Sequence, residues 1–135
     1  MGISREAFNR VGGFCEEEEF VGEDAEISFK LQLCGFKIHD RTDAIVHYRI
    51  RETLSGLRKQ MVNYGLAHAF LYSKFRYAGM RRQPIKDVIQ CYKQLLIVFC
   101  TWFRRSKEEK QEGIRLLAAH WGRLKGSMRY GVFYL

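Results

Sequence analysis

From residue 54 onward the chain carries apolar side chains at the spacing of a helix, and that constrains its fold more than any other feature. Leu54, Leu57, Met61, Tyr64, His68, Leu71 and Phe75 follow alternating steps of three and four, the pattern of one continuous helical stripe. Gly79 reads as its end. Pro84, the single proline in 135 residues, suits the first turn of a second helix running to about Arg105. A third helix, from about Lys107 to Lys125, places Ile114, Leu117, Ala118, Trp121 and Leu124 on one face. No stretch reaches the ~18 consecutive apolar residues of a spanning helix; the most apolar run, Leu95 to Phe103, is broken by Thr101 and ends at Arg104-Arg105.

The first third reads differently. Ser4 caps a short helix from Arg5 to Val11, which Gly12-Gly13 terminates. Four glutamates, Glu16 to Glu19, mark an exposed acidic loop. Glu23-Asp24 opens a helix with acids in its first turn, where the helix dipole favours them. Ile27, Leu31 and Cys34 give that helix its apolar face, and Gly35 stops it. Phe36–His39 and Ala44–Arg49 read as two short strands joined by Asp40 to Asp43.

Charge follows the same division. The chain has a formal charge of +8, yet residues 1–50 hold 6 Lys/Arg against 10 Asp/Glu, and residues 51–135 hold 17 against 5. Cys15, Cys34, Cys91 and Cys100 have no CxxC or finger spacing, so they read as free thiols and not as a zinc site. The N-terminus has no apolar signal-peptide core.

The ordered series Ile3-Ser4-Arg5-Glu6-Ala7-Phe8, Val11-Gly12-Gly13-Phe14, Gly22-Glu23-Asp24-Ala25-Glu26-Ile27, Lys30-Leu31, Gly35-Phe36-Lys37-Ile38 and His47-Tyr48-Arg49 resembles the second half of the family 2 glycosyltransferases. The resemblance implies an α/β fold: residues 1–52 as the later part of a GT-A-like nucleotide-sugar transferase domain, and residues 53–135 as a helical, basic C-terminal region. It implies transfer of a sugar from a nucleotide-sugar donor to a hydroxyl acceptor with inversion, in cell-surface or lipid-linked glycan synthesis. Asp24 matches the catalytic base and Glu23 the acceptor contact. On spacing alone both are equally ordinary first-turn acids. His47 falls where a ligand to Mn²⁺ or Mg²⁺ would stand, or is a packing residue. Arg49 or Arg51 is placed to approach the donor diphosphate. Gln60-Met61-Val62-Asn63-Tyr64 resembles, remotely, the Q-x-x-R-W motif that holds an acceptor chain, which makes Gln60 a substrate contact. Asn63 and Tyr64 replace its cation and its tryptophan, which argues against processivity.

Two departures matter. Cys15 stands where the family has an aspartate, and the sequence has no Asp-x-Asp for the metal-bound diphosphate. The expectation is therefore a C-terminal fragment of a larger enzyme, inactive by itself and open to self-association through unpaired strand edges.

The basic region from Arg81 to Arg129 has three readings. One is an anionic membrane surface, with Trp102, Phe103 and Trp121 at the interface, and hence a cytoplasmic chain peripheral to the inner membrane face. Another is a bundle with a solvated basic face. The third, nucleic acid, lacks any helix-turn-helix, RNP or finger signature. The alternative function is a non-catalytic, membrane-associated helical interaction module that keeps only a relic of the transferase half.

Overall fold

The computed structural model describes residues 2–16, 22–47, 51 and 53–134. Contacts divide the chain into two compact units, Met1–Ile50 and Arg51–Leu135. Helix α1 spans Arg5–Arg10 and α2 spans Glu23–Leu33 in the first unit. The second unit holds α3 (Leu54–Phe75), a 3-10 turn (Arg76–Ala78), α4 (Ile85–Cys100), a second 3-10 turn (Trp102–Arg104) and α5 (Lys107–Arg129).

The α/β expectation is overturned: among the described residues there is no strand and no sheet. Residues 36–47 are irregular. A turn closed by the Ala44 N–H on the Arg41 carbonyl (3.1 Å) stands where the two strands were to be joined. Ile38, Ile45 and Val46 are exposed. The reason is physical. A strand exists through the ladder bonds of its neighbours, and one short hairpin without a third strand or a packed face is marginal in water. β-branched composition alone supplies no such partner. Tyr48 to Ile50, Arg49 included, lie outside the described residues, as do Glu17 to Val21 of the acidic loop.

Local signals set the helix ends. The Ala7 N–H donates to Ser4 Oγ (3.2 Å), and the Gly56 N–H to Thr53 Oγ1 (3.1 Å). Ser106 and Glu109 form a reciprocal capping box at the start of α5, satisfying two otherwise orphaned donors. Helix α4 stops at Cys100, short of the expected Arg105; at its C-cap the Thr101 hydroxyl donates to the Ile97 carbonyl (2.6 Å) and receives Arg105 Nε (2.7 Å).

Helices α3 and α5 pack through their smallest residues. A Cβ on Gly65 would overlap the Ala119 carbonyl oxygen, one on Gly122 the Val62 carbonyl oxygen, and one on Gly126 would lie 2.7 Å from Ala69 Cβ. Backbone therefore meets backbone, and the contact face turns away from the expected stripe. Leu71 and Phe75 are buried, but Leu54 and Tyr64 are exposed. The C-terminal tail completes this core. Ala69, Tyr72, Val132 and Tyr134 cluster, and the Ser127 hydroxyl donates to the Tyr134 carbonyl (2.8 Å) while accepting the Tyr134 N–H (3.1 Å).

Candidate functional site

The candidate site is the start of α2, and its position is fixed from underneath. Ala7, Ile27 and Leu31 form a buried cluster with Ile3, Phe8, Val11 and Phe36 packed around it. Helix α1 reverses through Gly12 and Gly13, both left-handed at φ 76° and 75°. The Phe8 ring closes over Gly13, where an added Cβ would sit 3.2 Å from it. Phe8 and Phe14 then meet edge-on at 5.5 Å. This turn is tied to α2 by Lys30, whose Nζ reaches the Gly13 carbonyl (3.5 Å) and the fully buried Glu26 carboxylate (2.9 Å).

With that side of α2 held, its opening acids face solvent. Gly22 is the N-cap, at φ 128°, and offers no side-chain cap. The acids supply the missing acceptors. Glu23 Oε2 accepts the Gly22 N–H (2.9 Å), and Asp24 Oδ1 accepts the Ala25 N–H (2.8 Å). Hydrogen bonds from the Gly22 and Glu23 amides hold the Glu23 carboxyl below its usual range, as expected for an anion at a helix N-terminus. Both side chains are exposed. Two adjacent carboxylates on one rigid first turn can accept hydrogen bonds from, or a proton from, an incoming hydroxyl.

The other expected site residues are placed less closely. His47 is exposed. Arg41 and Asp43, upstream of it, form a bidentate pair at 3.0 and 2.8 Å, and Arg41 lowers the Asp43 carboxyl below its ordinary value. Gln60 lies on α3 and donates to the Tyr64 hydroxyl (2.9 Å) along the same helix, so the Q-x-x-x-Y segment is a bonded pair on the helix surface. Among the described residues no three His, Cys, Asp or Glu side chains converge. They do not form a divalent-cation site by themselves, and no step is derived through such an ion.

Glu26 and Lys30 have no place in the sequence-based site. Their i,i+4 acid-to-base spacing was the available signal, but only the fold shows that the carboxylate is wholly buried. In the second unit, α3, α4 and α5 enclose an open groove of about 700 Å³. Leu117, Trp121 and Leu124, the expected apolar face of α5, line it beside His120 and Arg58. Burial, and then the Arg123 charge, depress the His120 pKa. No helix among the described residues is long and apolar enough to cross a membrane.

Searches of protein-family models, curated proteins and solved structures find no match to this chain.

Proposed function

We propose that this chain provides the acceptor-activating part of a nucleotide-sugar-dependent glycosyl transfer with inversion. Asp24 is the general base and Glu23 binds the acceptor hydroxyl. The Asp24 carboxylate takes the hydroxyl proton as that oxygen attacks the anomeric carbon from the face opposite the leaving group. The bond to the diphosphate breaks, and the diphosphate departs with the electron pair.

What supports the reading is the way the ordered motifs cooperate. The Ser4 cap, the Gly12-Gly13 reversal and the Ile27–Leu31 face all serve to hold one turn, and that turn presents Glu23 and Asp24 to solvent. The sugar donor is a nucleotide sugar and the acceptor a hydroxyl. Arg49 remains a substrate contact within this proposal, and His47 would be the candidate ligand should a divalent cation neutralise the donor diphosphate.

Because this chain by itself is expected to be inactive, the test uses a full-length parent enzyme that carries a donor-binding half, with nucleoside diphosphate release followed across UDP-, GDP- and TDP-sugars. Asp24→Asn is expected to cut turnover at least ~10²-fold, the range of a general base. Glu23→Gln should raise the acceptor KM more than it lowers kcat. Turnover close to wild type in Asp24→Asn would refute the assignment.

A further inference from the structure

Helix α4 buries a single side chain, Val98, whose Cγ1 would lie 2.5 Å from a Cβ on Gly113 of α5. Tyr92 and Leu95 line the groove shared with α5, but most of its large apolar residues point elsewhere. Ile85, Ile89, Tyr92, Leu96, Phe99 and Phe103 recur at steps of four and three, and all are exposed, Ile85 at 78%, Phe99 at 81% and Phe103 at 94%. Scattered apolar exposure is normal for a protein surface; an exposed apolar stripe along the length of one helix, with Phe103 exposed in the turn after it, is not.

The charges around this line have a matching order. Residues 81–107 contain seven Lys/Arg and one acid, Asp87. At about 100° per residue, Lys86 and Lys93 both stand roughly 80–100° to one side of the middle of the stripe, while Asp87 falls on the far side with Val98. Arg81 precedes the helix and Arg104 follows it, both exposed. Arg82 is held by the Tyr72 hydroxyl (2.8 Å) and Arg105 by Thr101 (2.7 Å). Lysines flanking an apolar stripe can bury their stems and keep their ammonium groups at the polar boundary.

We propose that α4 and the 3-10 turn after it lie in the plane of an anionic lipid surface. Ile85, Ile89, Leu96, Phe99 and Phe103 enter the acyl boundary, and Arg81, Lys86, Lys93 and Arg104 meet the headgroup phosphates. The length fits: 16 residues make a helix about 24 Å long, shorter than the ~30 Å hydrocarbon core. Charge selects this occupant over a second copy of the chain. Two copies meeting through this face would bring like charges together, whereas an anionic bilayer is complementary to them.

The test is flotation of the full 135-residue chain with phosphatidylcholine vesicles, with and without one quarter phosphatidylglycerol. The wild type should partition at least ~10-fold better onto the anionic vesicles, and added salt should weaken it. In a Trp121→Phe background, Trp102 beside Phe103 should shift to the blue and gain protection from aqueous quenchers on binding. Leu96→Glu with Phe99→Glu should lower the partition at least ~10-fold. Both positions are exposed, so far-UV circular dichroism should be unchanged. If that variant fails to fold, Lys93→Glu with Arg104→Glu decides, because it should abolish the preference for phosphatidylglycerol. No flotation of the wild type on anionic vesicles overturns the proposal. So does unchanged flotation of the folded variants, or a dimer formed through this face without lipid binding.

Discussion

The two units solve the same packing problem in opposite ways. In the first, a short α1 and an 11-residue α2 meet through ordinary side chains, with Ile27 and Leu31 as the anchors, and one buried ion pair holds the reversal between them. In the second, α3 and α5 run 22 and 23 residues and touch at glycines, leaving much larger side chains exposed on α4 and α5. The second unit also buries large side chains, Phe70, Leu71, Tyr72 and Phe75 among them, but α3 and α5 make their closest approach at Gly65, Gly122 and Gly126, which a reading of apolar size passes over. Close backbone approach gives long helices many weak contacts at once, while a small unit depends on a few decisive ones.

Gly122→Ala should break the second arrangement with the largest effect. Inside an exposed helix this substitution would gain about 1 kcal/mol from propensity. Here the new methyl meets the Val62 carbonyl oxygen and neighbouring backbone, which cannot swing aside as a side chain can. A net loss of about 3 kcal/mol is expected, at the upper end for overpacking. Both tryptophans, Trp102 and Trp121, belong to this unit, so urea unfolding followed by tryptophan fluorescence reads the loss directly. A gain in stability would mean that the helices do not approach as described.

Lys30→Met should act on the first unit alone, and by less. Glu26 is fully buried and Lys30 still 24% exposed, so the substitution removes the ammonium from beside a carboxylate that water does not reach. About 2–3 kcal/mol of local stability is expected to go, less than for a pair buried at both ends, because only the Glu26 end is buried and Lys30 is partly hydrated. Amide exchange in α2 should speed up while the tryptophan transition stays in place. A matching shift of both probes would show that the units unfold together, and the contrast between them would fall.

Much of this was legible where the determinants are local. Ser4, Gly12-Gly13, Gly35, Gly79 and Pro84 act on their own backbone or within a few residues, so the helix ends they mark follow from the sequence; the stop at Cys100 and the Ser106 capping box were not read from it. Glu23 and Asp24 could be placed on a first turn for the same reason. What could not be read depended on distant partners. Ala44 to Val46 has strand composition, yet strand pairing is decided by neighbours that composition does not name. The buried face of α3 was hidden because periodicity weighs large side chains, and Gly65 contributes by having none. Glu26 resembled any other first-turn acid until the Ala7–Ile27–Leu31 cluster fixed which way it points.

The smallest expected effect concerns pH and again separates the units. His120 is buried on α5 against Tyr92, with ring centroids 5.4 Å apart; Arg58 lines the same groove. Burial lowers its pKa, and the Arg123 guanidinium adds to the shift. His68 on α3 is shifted the same way by the same two causes, though solvent reaches more of it. A histidine whose folded pKa lies below its unfolded value of about 6.5 binds fewer protons folded than unfolded within that interval. Stability is then fully present above about pH 6.5 and falls as the pH drops toward the folded pKa. The tryptophan-detected transition should weaken on acidification in that window, and His120→Gln should flatten the slope by removing the group that resists protonation. The first unit offers a contrast of opposite chemistry. Backbone amides hold Glu23 below its usual range, so its contribution persists to lower pH and is lost only as the carboxylate is protonated. Exchange protection at the start of α2 should therefore outlast the histidine-dependent loss in α5. If the slope is unchanged in His120→Gln, proton uptake in the second unit is governed by some group other than the histidine between α4 and α5.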